Sequence, residues 1–586
     1  MLLAPKYFNT AGLVVIALTC LCYQTASSRS LEKDKNNSSL ELRSHLGSYM
    51  AGRIARSINN IPQSVAFYRQ ALKHSPKHPR IMMQVFLGEA VNGNLLEADK
   101  IARSIVTVSS DNRLARLWLG TAEFRAGRYA RADQHFKLAG QDPIGKLTSR
   151  LSRAWIALAR NRQNQALRYL LPSAHQSWSS YYVQYHRALI ADLSRKPMES
   201  KALYSEIFNA DTRMPRTTAA YLRHAIYRGK YVLAGKIARR HIKDSANGGH
   251  ASIIALFTDV KAGNKVHLMI RTPQEGLAEA FYGLGEALID EGGLELGTLY
   301  LQMALSIKPD FPFALAALAN AHEATRDYER AIDVYDSIRN DTSLQIEIAI
   351  RKAFNLDALN KTNKAKKILD DVVTSHPNST RTLEAIGNIL RASKRYDEAI
   401  EYYSRIINLI RKPEKRHWIY WYARGTSYER AKQWLKAEKD LLRAMSLDPD
   451  QALVLNYLGY SWVEQNINLD RALELVERAV ELKPDDGYII DSLGWAHYKL
   501  GNYNKAVLYL ERAVELKPED PILNDHLGDA LWQVNRLREA KYQWELALSL
   551  KPEKKEAIKI RKKLVSGMVS DVFLNSTENR VNVELN

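Results

Sequence analysis

The chain has 586 residues, 46% hydrophobic and 25% charged, with a formal net charge of +20. Its two cysteines, Cys20 and Cys22, both fall near the start. A chain cleaved after them has none, which excludes disulfides, thiolate catalysis and cysteine-ligated metals.

The first element is an apolar run of thirteen residues, Ala11 to Tyr23, behind a single Lys6. A membrane-spanning helix needs about 20 apolar residues, so the run matches the core of a secretory signal. Thr25-Ala26-Ser27-Ser28 supplies small residues for cleavage before Arg29. Residues 1–28 are therefore expected to be a signal peptide, with retention as an uncleaved anchor as the rival reading. A lipid anchor is not expected, because Cys20 follows Ala17-Leu18-Thr19 and Cys22 follows Thr19-Cys20-Leu21. The expected location is the periplasm, or the envelope more broadly. A short segment, 29–46, precedes the first repeat.

From there the chain is built on a comb. Gly52, Phe86, Gly120, Ala154, Ala188 and Leu222 recur at intervals of 34. The clearest of these units reads Leu119-Gly120, then Gly127-Arg128-Tyr129, then Ala132, Phe136 and Ala139. The unit at Ala188 is the poorest, with Pro197 in its turn and Ser200 where alanine is expected. Gly140 to Leu147 approaches a phosphate-binding loop. However, Leu147 stands where serine or threonine must ligate magnesium, and no strand precedes it.

The comb breaks over 244–277, where Gly248-Gly249, Gly263 and Thr272-Pro273 predict one helix (about 250 to 262) and a loop. It resumes with Gly285, Ala319, Ala353 and Gly387 at intervals of 34. Gly425, Gly459, Gly494 and Gly528 follow at 34, 35 and 34. The one longer step, 38 residues between Gly387 and Gly425, is absorbed by a loop around Pro413. From Ala319 on, the units carry a second-helix alanine, such as Ala331, Ala365, Ala399 and Ala506, and later ones close on a proline, such as Pro518. Glycine costs about 1 kcal/mol in a helix relative to alanine, so its recurrence requires close helix approach. Residues 553–567 read as a capping helix and 568–586 as a tail.

A period of 34 with helix-turn-helix punctuation resembles the tetratricopeptide (TPR) repeat. The expected fold is all-α: a TPR helix-turn-helix solenoid of fourteen units. Two superhelical arrays, 47–243 and 278–552, are joined near 244–277. Stacked hairpins curve, and the first helix of each lines the concave side. On the TPR template the groove residues of the second array are Asn456, Tyr460, Tyr488, Asp491, Trp495, Tyr498, Asp525, Asp529 and Trp532. Rings flanked by acids and an amide suit a partner peptide. In the first array the corresponding residues are Met83, Leu87, Leu117, Phe124, Leu151, Trp155, Tyr182 and Tyr185. They are apolar enough to hold an amphipathic helix, either a partner's or the chain's own residues 29–46.

The charge is divided unevenly. Basic residues exceed acidic ones by 24 over 1–277 and fall short by 4 over 278–586. The basic half points to an acidic protein, an anionic membrane surface or an anionic wall polymer as neighbour. No DNA-binding helix-turn-helix or zinc-finger spacing occurs, so nucleic acid is not an expected partner. No zinc pair, nucleophile elbow or dinucleotide loop occurs either, so neither an enzyme nor a cofactor is expected.

The phrases Asn456-Tyr-Leu-Gly-Tyr-Ser-Trp, Asp491-Ser-Leu-Gly-Trp-Ala and Asp525-His-Leu-Gly-Asp-Ala-Leu-Trp resemble a family of bacterial envelope TPR proteins. Some of its members are outer-membrane lipoproteins that serve as adaptors for a carboxyl-terminal processing protease. The resemblance implies a non-enzymatic adaptor that binds a partner and a client through concave grooves. The alternative is a scaffold for envelope polysaccharide or peptidoglycan assembly.

Overall fold

The computed structural model describes residues 44–171, 178–245, 249–261, 266–339 and 344–568. The expected signal segment, all of 29–46 but its last three residues, and the tail beyond Met568 lie outside them. The described residues form thirty α-helices and no strand. None of these helices is long and apolar enough to cross a membrane.

Twelve helices from His45–Ser57 to Tyr231–Asp244 form six hairpins, and Ala251–Lys261 stands alone. Sixteen more, from Pro273–Asp290 to Leu537–Ser549, form eight hairpins, and Lys554–Ser566 closes the chain. The comb residues sit where helices touch. A Cβ on Gly120 would lie 3.0 Å from the Phe136 ring, and one on Gly494 would lie 2.6 Å from Leu510 Cγ. Many first helices end on a left-handed residue, as at Gly127, Asn161, Gly501 and Asn535, which turns the chain toward the second helix. Pro197 is not in a turn. It is the first residue of helix Pro197–Ala210, a position where its missing N–H costs nothing.

The helices divide into two compact units, whose described parts lie within 44–368 and 369–568. That division falls well after the register break at 244–277, for a reason visible in the first unit. The hairpin of helices Pro273–Asp290 and Leu294–Ile307 packs against the first helices of the upstream repeats, Pro79–Val91, Arg113–Arg125, Pro143–Ala159 and Ser180–Leu193. The groove expected to hold a partner or residues 29–46 is occupied by residues 273–307 of the same chain.

The fit is close. A Cβ on Gly276 would sit 2.3 Å from the Trp155 ring. Tyr300 and Thr148 hydroxyls meet at 2.8 Å, and Gln302 Nε2 donates to the Val91 carbonyl at 3.0 Å. Leu117, Phe124, Leu151 and Trp155 are fully buried in one core with Phe281, Tyr300 and Met303. Each such side chain contributes about 1.5–3 kcal/mol on burial. Charge is buried there too. Arg216 Nε donates to Glu279 Oε1 at 2.9 Å, and Tyr185 donates its hydroxyl to the same oxygen at 3.0 Å. The Arg216 guanidinium also lies 4.3 Å from the centre of the Phe313 ring.

In the second unit, hairpins run from Thr380–Ala392 to Leu537–Ser549. Lys394, between the helices of the first, and Glu553, just before the closing helix, come within 3.7 Å.

Candidate partner-binding surface

Ser200, His224 and Asp192 bring together the three groups of a hydrolytic triad, but not its geometry. The same imidazole Nδ1 faces Ser200 Oγ at 3.4 Å and Asp192 Oδ1 at 2.9 Å, and all three residues are buried. A relay needs the two ring nitrogens to face different partners. The cluster instead gives hydrogen bonds to the hydroxyl that replaces the repeat's alanine.

The nine residues expected to line the second groove do lie on first helices, but packing divides them. Asp491, Trp495, Asp525 and Asp529 are only 5–9% exposed. Trp495 is sandwiched between Tyr498, with ring centres 4.6 Å apart, and His526 at 4.0 Å, both nearly parallel. Its indole N–H donates to Glu464 Oε1 at 2.5 Å. Asp491 holds His526 Nδ1 at 3.0 Å. Lys563, on the closing helix, donates to Asp525 Oδ1 at 2.8 Å and to Asp529 Oδ2 at 2.7 Å, and the Trp544 indole donates to Asp529 Oδ1 at 2.9 Å. Acids read as open to a partner are thus satisfied by later helices of the same chain. Tyr488 is 43% exposed, while Asn456, Tyr460, Tyr498 and Trp532 are half-buried.

The closing helix therefore depends on Lys563. Lys563→Ala leaves two carboxylates in a poorly solvated site and should cost about 3 kcal/mol, the low end for a broken buried pair. The lysine retains 19% exposure, which justifies that discount. Hydrogen exchange across 554–566 should rise first.

The protonation of this region has a definite sign. Burial pushes the Asp529 carboxyl up to about 6; Lys563 opposes this and Asp525 adds to it. Its contribution to stability is greatest where the acid is protonated and fades as pH rises toward 6. For His526, burial alone would lower the pKa, but the Asp491 carboxylate outweighs it and raises the imidazole above its ordinary 6.5. That contribution is complete below 6.5 and is lost as pH rises through the raised value. Melting temperatures measured from pH 6 to 8 should therefore fall less in Asp491→Asn than in wild type.

Template positions not assigned from sequence form a more open site two repeats upstream of Asn456. Glu384, Asn388 and Arg391, on helix Thr380–Ala392, line a cavity of about 20 Å³ with Tyr403, Tyr420 and Tyr422. Tyr403 donates to Asn388 Oδ1 at 2.7 Å, and Tyr420 to Glu384 Oε2 at 3.4 Å. Burial raises the Glu384 pKa, against the lowering effect of that Tyr420 hydrogen bond. Arg391 Nε and Asn456 Oδ1 are buried and meet no partner among the described residues. Glu384, Asn388 and Arg391 hold positions 5, 9 and 12 of the Gly387 unit. The spacing that assigned Asp491 and Trp495 would have found them.

Tetratricopeptide-repeat family models match residues 314–341, 350–379, 382–416, 422–487 and 489–520. A Pseudomonas aeruginosa protein described as TPR repeat-containing is 28% identical over 197 residues, covering 32% of this chain and 31% of that protein. Mouse superkiller complex protein 3 is 26% identical over 215 residues, 36% of this chain and 13% of that protein. The chain thus spans less than a third of the length of either relative. A solved tetratricopeptide repeat protein from Parabacteroides merdae superposes with a TM-score of 0.34 at 14% identity, covering 49% of this chain and 97% of that one.

Proposed function

We propose, for a chain that carries tetratricopeptide repeats over 314–520, a non-enzymatic role as an adaptor of the bacterial cell envelope that holds a protein partner on the concave face of its 369–568 unit. One observation carries the choice of face. The groove of the 44–368 unit is filled by its own hairpin, 273–307, whereas the face between Glu384 and Tyr498 offers partly exposed rings and unpartnered polar atoms. Such a face fits an extended peptide: rings supply area at low entropic cost, and amide and guanidinium groups meet backbone groups.

The apolar run Ala11 to Tyr23 supports export, with residues 1–28 removed and the rest periplasmic. The resemblance carried by the Asp491-Ser-Leu-Gly-Trp phrase supports the adaptor reading, with a carboxyl-terminal processing protease or its client as the partner.

The test is affinity capture from envelope extract by residues 29–586, with Tyr488→Ala as the comparison. The expected result is one protease or wall hydrolase retained by wild type and lost by the variant, at an unchanged melting temperature. Capture that survives the substitution, or no specific capture, overturns the reading.

A further inference from the structure

Helix His45–Ser57 is the first described helix, and it forms a hairpin with helix Ile61–His74. Ser48, Gly52 and Ala55 face inward. On the other side Leu46, Met50, Ile54 and Ile58 are 67, 43, 60 and 68% exposed. Steps of four residues place them on one face of the helix. Single exposed apolar residues are ordinary, but an unbroken stripe of four along one helix marks an interaction surface.

The charge around the stripe is mostly of one sign. From Leu42 to Gly88 the sequence contains no aspartate or glutamate. Arg56 is paired with Glu295, and Arg69 with Glu89 and Glu97. Arg53, Lys73, Lys77 and Arg80 are exposed and meet no carboxylate among the described residues. The cations gather near one end of the stripe: the His45 ring, next to Leu46, lies 6.5 Å from both the His74 and His78 rings, which are flanked in sequence by Lys73 and Lys77.

We propose that this edge of the solenoid docks on an anionic bilayer surface. Leu46, Met50, Ile54 and Ile58 enter the boundary between headgroups and acyl chains, while Arg53, Lys73 and Lys77 meet lipid phosphates. An apolar face rimmed by cations is the pattern of interfacial helices. A second copy of the chain is the poorer occupant, because two such edges would set Arg53, Lys73, Lys77 and Arg80, which meet no carboxylate among the described residues, against one another. The docking is independent of the partner groove and stands whether or not that groove binds a protease.

The test is co-sedimentation of residues 29–586, which retain every described helix, with phosphatidylcholine vesicles with or without phosphatidylglycerol. Binding should be at least about tenfold tighter to the anionic vesicles and weaken in high salt. Replacing Leu46, Met50, Ile54 and Ile58 together by glutamine should lower it at least about tenfold without changing the melting temperature. Arg53→Glu, a single exposed change, should weaken it in the same direction. Equal sedimentation with both vesicle types overturns the proposal, as does undiminished binding by the glutamine variant. A wild-type dimer that the glutamine variant converts to monomer, or an acidic protein captured through the stripe with no vesicle binding, would assign the surface to another occupant and equally overturn it.

Discussion

Arg216→Ala should destabilise the 44–368 unit by about 3–5 kcal/mol, the cost of removing one partner from a buried ion pair. Glu279 is 2% exposed, and Arg216 retains 18% exposure. Burial acts to raise the Glu279 pKa, but the guanidinium outweighs it and holds the carboxyl below its ordinary value. Without Arg216 the carboxylate keeps, among the described residues, only the Tyr185 hydroxyl. It must then remain charged in a dry site or take up a proton, so the variant should recover part of its stability as pH falls. Arg216 also stacks on Phe313, 4.3 Å away, which makes Arg216→Lys a useful intermediate: it keeps the charge but loses the two-pronged hydrogen bond and the stacking. Adding Glu279→Gln to Arg216→Ala should restore part of the loss, since the neutral amide no longer needs a counter-charge. Two units need not unfold together. The measurement is therefore hydrogen exchange within 273–307, where protection should drop several-fold more than in 487–549.

That pair joins helix Pro215–Tyr227 to the hairpin in the groove, and sequence reasoning could not see the connection. The comb residues were legible because each repeat imposes the same local demand: Gly120 against Phe136, and Gly494 against Leu510, are contacts within one hairpin. The groove-facing side was legible for the same reason, since a fixed step along a helix returns to the same face. What fills the groove is set by contacts between residues far apart in the chain. Gly276 against Trp155 and Tyr300 against Thr148 leave no periodic trace. The break at 244–277 marks where the chain leaves the first array, but not its return into the groove. The same limit applied to the candidate site. The template placed Asp491, Asp525 and Asp529 on the concave side, but His526 and Lys563, from a following helix in each case, neutralise them. Ser200 was a visible exception to the alanine pattern, and its explanation lay in Asp192 and His224.

Trp495→Ala should cost about 3–5 kcal/mol, the range for removing a large aromatic from a core. The indole is 8% exposed and stacks between Tyr498 and His526. Its loss leaves a void between two repeats and takes from Glu464 the N–H donated at 2.5 Å. It also loosens the ring that Asp491 holds in place, so the effect should extend to the Pro521–Gln533 repeat rather than stay local. This makes Trp495 and Asp491 poor probes of partner binding: a variant that loses its partner because its repeats have opened is indistinguishable, in a capture experiment, from one that has lost a contact. Tyr488 separates the two. At 43% exposure, Tyr488→Ala should change stability by no more than about 0.5 kcal/mol, as surface changes do. Limited proteolysis across 487–549 supplies the readout. Trp495→Ala should be cut well below the wild-type melting temperature, and Tyr488→Ala at the wild-type rate. If Trp495→Ala resists the protease as well as wild type does, the ring is not part of the packing that joins these repeats, and its groove role returns as the better account.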